Sequence, residues 1–221
     1  MIRNARGFTL LEVLLATLLL AVLIAGAYGG LRASAHAMRA GEATIDRTDR
    51  LRTAQQFVRR QLSHILPLTY TRDDNTGVSY VFEGTARSMR FVAPMPGYLS
   101  RGGPYVQTLE LAAGKQGLQL QFTDRMLNGY EDPSPDTADP VVLLDHIASG
   151  HFAYRSLDDQ GNLEDWSTDW REPEITPLMI RIELTMQPDA QLAWPTLDVA
   201  PVLDAGARRA GIPRLMPGQG R

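Results

Sequence analysis

Residues 1–30 read MIRNARGFTLLEVLLATLLLAVLIAGAYGG. Between Phe8 and Leu31 a single charged side chain occurs, Glu12. Everything else there is apolar, small or weakly polar, and the charge-free stretch approaches the roughly 20 residues needed to cross a bilayer core. Leu and Ala, which dominate with Val and Ile, favour helix. The pattern predicts a transmembrane helix over 8–30. Arg3 and Arg6 precede the run, and the next basic residue is Arg32. With Arg39 also close behind, the positive-inside bias is modest. It points to a cytoplasmic N-terminus and an exported remainder.

Glu12 is the anomaly. A carboxylate in hydrocarbon costs at least a few kcal/mol unless it is paired or neutralised, so such residues are functional candidates by default. Snorkelling to the headgroups is also open to it, one turn into the run. Two other readings of the segment compete. A secretory signal peptide would have a shorter apolar region and a small-x-small cleavage site, for which Ala25, Gly26 and Ala27 could serve. A plain signal anchor would explain the length and leave Glu12 unexplained.

The segment RGFTLLEVLLA resembles the class III signal of type IV pilins and type II secretion pseudopilins. Arg3 and Arg6 form the short basic leader, Gly7 stands before the cut, and Glu12 would be the fifth residue of the mature chain. The resemblance implies cleavage by prepilin peptidase between Gly7 and Phe8, and N-methylation of Phe8. It also implies charge pairing of Glu12 with the N-terminus of a neighbouring subunit. Two charges that are costly apart in lipid offset one another when paired, and such a pair would set the register between subunits.

Beyond the membrane run the helical period resumes. Leu31, Ala35, Met38 and Ile45 share a face, and Leu51, Ala54, Val58, Leu62 and Ile65 follow at spacings of three and four. Gly29 and Gly30 mark a place for bending or weakening, and Pro67 is a firm stop. An amphipathic helix is thus expected over 31–66. Then the period becomes that of strands: VSYVFEG, RSMRFVAP, YVQTLELAA and GLQLQFTD alternate over short runs broken by Gly and Pro. LNGYEDPSPDTADP reads as a surface loop, and a turn is expected at 158–162. PLMIRIELTM and LAWPTLDVAP are expected to close the sheet, the latter as an edge strand. The fold class is α+β: a long N-terminal helix packed on an antiparallel sheet. The divisions are leader 1–7, span 8–30, amphipathic helix 31–66, β-rich head 67–204 and flexible tail 205–221.

The segment HFAYRSLDDQGNLEDWSTDWREPEITPLMIRIEL resembles the minor pseudopilin J family of type II secretion. The features that carry this are the aromatic strand around Phe152 and Tyr154, the Gly-containing turn, Trp166, Trp170, Pro177, and the alternating strand from Met179 to Leu184. Minor pseudopilin K typically lacks the glutamate and has a larger head. The major pseudopilin is shorter and carries a calcium loop without counterpart here. The resemblance implies a pseudopilus tip complex with minor pseudopilins I and K, with minor pseudopilin H and the major pseudopilin as further neighbours. It places the chain in the inner membrane with its head in the periplasm, supporting export of folded periplasmic proteins. A minor type IV pilin or a signal-anchored periplasmic binding domain are the rival readings.

The formal net charge is −3, which gives no electrostatic reason to expect nucleic acid. No cysteine is present, so disulfides and thiolate metal sites are excluded. His146 and His151 match no metal spacing and read as structural, and no nucleophile motif or phosphate loop occurs. Asp73, Asp74 and Asn75, or Asp132, Asp136 and Asp139, offer oxygen ligands that could hold calcium weakly; solvated loops are the plainer reading. No cofactor and no enzymatic activity are expected. Trp166, Trp170 and Trp194 read as core or sheet-edge packing, with a partner surface as the alternative.

Overall fold

The computed structural model describes residues 9–97, 102–131, 139–158, 160–190 and 192–202, with backbone alone at 33, 35–37, 39–44 and 46. The chain divides into two compact units, Met1–Thr48 and Asp49–Arg221.

One helix, α1 (Leu10–Ser63), enters both units. In the first unit it passes through Gly29 and Gly30 as unbroken helix. The sequence had marked these as weak points, but two glycines cost only about 2 kcal/mol within a helix already propagating on both sides. Leu31, Met38 and Ile45 are exposed there.

In the second unit the expected stripe is the packed face. Leu51, Ala54, Val58, Leu62 and Ile65 are all buried. The helix ends three residues earlier than Pro67 demanded. Leu66, before a proline, favours extended backbone, and its N–H donates to Val92 O at 2.7 Å. The last carbonyls still find partners: Arg60 O accepts from Ser63 Oγ at 3.0 Å and lies 2.8 Å from His64 Nδ1, and Ser63 O accepts from Val202 N at 2.9 Å.

A small ribbon, β1 (Thr71–Arg72) with β2 (Ser79–Tyr80), precedes an antiparallel sheet of seven strands in sequential order. These are β3 (Phe82–Gly84), β4 (Ser88–Pro94), β5 (Pro104–Gly114), β6 (Gly117–Met126), β7 (Val141–Arg155), β8 (Met179–Met186) and β9 (Leu197–Val199). VSYVFEG, expected as one strand, is split at Val81, because the N–H groups of Val81 and Phe82 both donate to Pro173 O. LAWPTLDVAP supplies only the three residues of β9. Pro195 has no N–H to give a ladder, and Trp194 turns inward so that its Nε1–H reaches Ile182 O at 3.3 Å.

Alternation along the strands puts Met89, Phe91, Leu109, Leu120, Phe152, Ile180 and Ile182 into one core with the helix stripe. Phe57 meets Phe122 edge-on at 4.9 Å. A second cluster, Tyr70, Val92 and Val106, is covered by Leu66, Tyr80, Leu127 and Tyr130. Burial, and then the hydrogen bond to Glu83, pushes the Tyr70 hydroxyl well above its ordinary range. One polar pair sits in the main core. Gln61 Nε2 donates to Gln107 Oε1 at 3.0 Å, and Gln107 Nε2 donates to Ala93 O at 3.2 Å, tying helix to sheet. Both side chains are satisfied, as burial requires.

β7 changes partners midway. Its first half pairs with β6, from Phe122↔Val141 to Leu118↔Ile147, and its second half with β8, from Ile147↔Met186 to Arg155↔Met179. Register shifts mark the changeover, where His146 has φ 56°. A left-handed non-glycine residue costs about 1–3 kcal/mol, and histidine bears it better than β-branched residues. His146→Val should therefore lose about 2 kcal/mol, while His146→Gly stays within about 1 kcal/mol of the parent. Urea midpoints of the two variants check this.

Candidate functional site

The site expected from the sequence is the start of the apolar helix. Gly7 and Phe8 lie outside the described residues. Glu12 lies in the first turn of α1 and is exposed. Ahead of it Thr9 acts as the N-cap: its Oγ1 accepts from Glu12 N at 3.3 Å, and its carbonyl accepts from Glu12 N at 3.1 Å and Val13 N at 3.3 Å. Thr-x-x-Glu is the capping-box signature, so Thr9 was findable in the sequence and was overlooked there. Glu12 thus has two local assets, the third helical position and a carboxylate at the positive end of the helix dipole. Leu10–Arg32 is long and apolar enough to cross a membrane, alone in this among the described residues.

On the head, the three tryptophans separate. Trp194 is core. Trp170 packs edge-on against Phe82 at 6.2 Å and Tyr154 at 6.3 Å, and its Nε1–H donates to Glu172 O at 2.7 Å. Trp166 lies under two guanidinium groups, Arg181 at 4.2 Å and Arg155 at 5.3 Å from the ring centre. These contacts hold the irregular segment 156–178 onto the sheet. Its expected turn is present, with Asp158 N donating to Asn162 O at 2.8 Å.

Arg181 also donates to both carboxylate oxygens of Asp198 at 2.7 Å each. That hydrogen-bonded pair holds Asp198 below its ordinary value of 3.8. A carboxylate more acidic folded than unfolded adds stability above the unfolded value and loses it as pH falls through the lower folded value. Asp198→Asn should cost at most about 1 kcal/mol at pH 7, since the pair is partly exposed. The difference from the parent should shrink as the pH falls below 3.8 and through the lower folded value; urea midpoints followed down a pH series check it.

Of the acidic groups considered for calcium, Asp73 spends its Oδ1 on Asn75 N at 2.8 Å and Thr76 N at 3.3 Å, closing its own turn. Asp132 and Asp136 lie outside the described residues, and Asp139 is exposed. No cluster of three metal-ligating side chains occurs among the described residues. His151 lies 3.7 Å from Glu183, and His146 Nδ1 lies 3.0 Å from Asp145.

Residues 2–28 match the family model of the prokaryotic N-terminal methylation motif. Type II secretion system protein J of Xanthomonas campestris pv. campestris is 36% identical over 199 residues, 89% of this chain and 93% of that protein. The protein of the same name from Klebsiella pneumoniae is 28% identical over 207 residues, 87% of this chain and 94% of that one. Among solved structures, a chain of the GspK-GspI-GspJ complex from the enterotoxigenic Escherichia coli type 2 secretion system matches with TM-score 0.45. It is 16% identical, with 69% of this chain and 94% of that chain covered. A capped apolar helix under a methylation motif, with a helix-backed antiparallel head, defines a pilin-like protein. Within that class the likeness runs through the head as well as the signal. The chain belongs to the type II secretion system protein J family, the minor pseudopilins.

Proposed function

We propose that this chain is cut by prepilin peptidase after Gly7, N-methylated at Phe8, and built into the tip of the pseudopilus with minor pseudopilins I and K. Minor pseudopilin H and the major pseudopilin are further neighbours. The span holds it in the inner membrane with the N-terminus cytoplasmic and the head periplasmic. The partition is leader 1–7, span 8–30, spine 31–66 with its helix ending at Ser63, head 67–204 and tail 205–221. The tip complex primes assembly and supports export of folded periplasmic proteins, through packing and charge pairing and without bond chemistry.

The observation that carries this reading is the likeness to protein J over 93% of that relative's length. The test is recovery of the tagged full-length protein from native membranes, with its partners identified by mass spectrometry and its N-terminal residue read. Minor pseudopilins I and K together with methyl-Phe8 are expected. Recovery of type IV pilus proteins would move the chain to a pilus. An uncut Met1 would sink the processing step.

A further inference from the structure

The two outer edges of the large sheet are guarded. Along β3, Pro173 O accepts from Val81 N at 2.7 Å and Phe82 N at 3.1 Å, and Gly84 O accepts from Trp170 N at 2.9 Å. Along β9, Asp198 O accepts from Arg59 Nη1 at 3.3 Å on the helix. Covering an edge in this way prevents unwanted strand pairing. The first half of β7 is treated differently. β8 joins β7 only from Ile147 onward, and among the described residues no strand pairs with Val141–Asp145 on the side away from β6.

This open edge carries apolar side chains. Val141 is 57% and Val142 46% exposed. No Lys, Arg or Pro falls between Val141 and Asp145; what interrupts the edge is a pair of register shifts against β6, between Val142 and Leu144 and between Leu144 and Ile147. Exposed carboxylates bracket it instead, Asp139 before and Asp145 after, the latter beside His146.

We propose that Val141–Asp145 is a strand-addition site for a neighbouring subunit. Its occupant is a short extended segment with alternating apolar residues and a Lys or Arg at each end. Main-chain hydrogen bonds would supply the affinity and the flanking charges the register. The identity of the occupant as a subunit rests on the tip-complex reading. The existence of the edge site does not.

The first test uses the full-length protein in detergent with the synthetic peptide acetyl-Lys-Thr-Val-Thr-Val-Thr-Lys-amide as probe. Expected are saturable binding by about 1 mM and slowed amide exchange within 141–145. The same peptide N-methylated at both valines and all three threonines, which cannot donate from those residues along either edge, should not bind. Val142→Lys, which sets a cation against the peptide's own, should weaken binding roughly ten-fold. Absence of binding, or equal binding by the methylated peptide, would overturn the proposal.

The second test co-expresses the chain with minor pseudopilins I and K. Recovery of partners by the parent, and their loss from Val142→Lys, places a subunit's strand at the edge. Equal recovery by both overturns a subunit as occupant. Failure of the parent to recover partners, with peptide binding intact, sinks the tip reading and leaves the edge site standing.

Discussion

Glu12→Ala should leave cleavage after Gly7 and methylation of Phe8 intact while stopping incorporation into the pseudopilus. The N-terminus of an incoming subunit would meet hydrocarbon with no counter-charge. Removing one partner of a buried ion pair costs about 3–5 kcal/mol, because the other charge is left unpaired. At 1.4 kcal/mol per factor of ten, docking weakens by roughly two to three and a half orders of magnitude. The capping geometry offers a rival explanation of any defect, since Glu12 also occupies the third position of a Thr-capped helix. Glutamine serves a capping box as well as glutamate does but carries no charge. Under charge pairing, Glu12→Gln fails like Glu12→Ala. Under capping, it behaves like the parent. Thr9→Ala, which removes the cap and keeps the charge, should cost only about 1 kcal/mol of local helix stability. Mass spectrometry of the N-terminus, co-purification with minor pseudopilins and a secretion assay read the three variants. Normal secretion by a strain carrying only Glu12→Ala would refute the pairing role.

The helix stripe from Leu51 to Ile65 was legible because its burial depends on a local period that the sequence displays directly. The strands 88–94, 104–114 and 117–126 were legible for the same reason at period two. What escaped depends on distant partners. Nothing near Val81 announces that Pro173, far along the chain, will take its N–H and end one strand to begin another. Gln61 and Gln107 each look like surface residues until the fold sets them 3.0 Å apart. The changeover in β7 falls at a histidine with positive φ, where a glycine would have signalled it. At the candidate site, Glu12 stood out as a charge in an apolar run. The pairing partner proposed for it belongs to another molecule, so one chain cannot display it. The open edge at Val141 was hidden by its own regularity, because an apolar run reads alike whether one or two strands flank it.

The largest stability effects should come where Gly84 meets Tyr154, and one added methyl group is enough to produce one of them. Gly84 lies in β3 opposite Met89, and its φ is outside the left-handed region, so its backbone would accept alanine. Space would not. A Cβ there would stand 2.3 Å from Tyr154 Cζ and 2.7 Å from Cε2 and Oη. The ring cannot retreat. Its hydroxyl donates to Thr85 O at 2.8 Å, and the ring makes T-shaped contacts with Phe82 at 5.5 Å and Trp170 at 6.3 Å. Trp170 is itself pinned by its backbone N–H, which donates to Gly84 O at 2.9 Å. This is where the curled sheet closes, with Phe152 N donating to Ala86 O at 2.9 Å alongside. Gly84→Ala should therefore cost about 3 kcal/mol, the upper end of overpacking in a core. Tyr154→Ala should cost about 4 kcal/mol through the cavity it leaves and the ring contacts it loses. The double variant decides the mechanism. With the ring gone the added methyl has room, so the pair should be no less stable than Tyr154→Ala alone, a coupling of about 3 kcal/mol. Urea unfolding of the full-length chain in detergent, followed by tryptophan fluorescence, measures all three. Additive penalties would show that the methyl acts on β3 itself, and that closure of the sheet does not turn on the meeting of Gly84 with Tyr154.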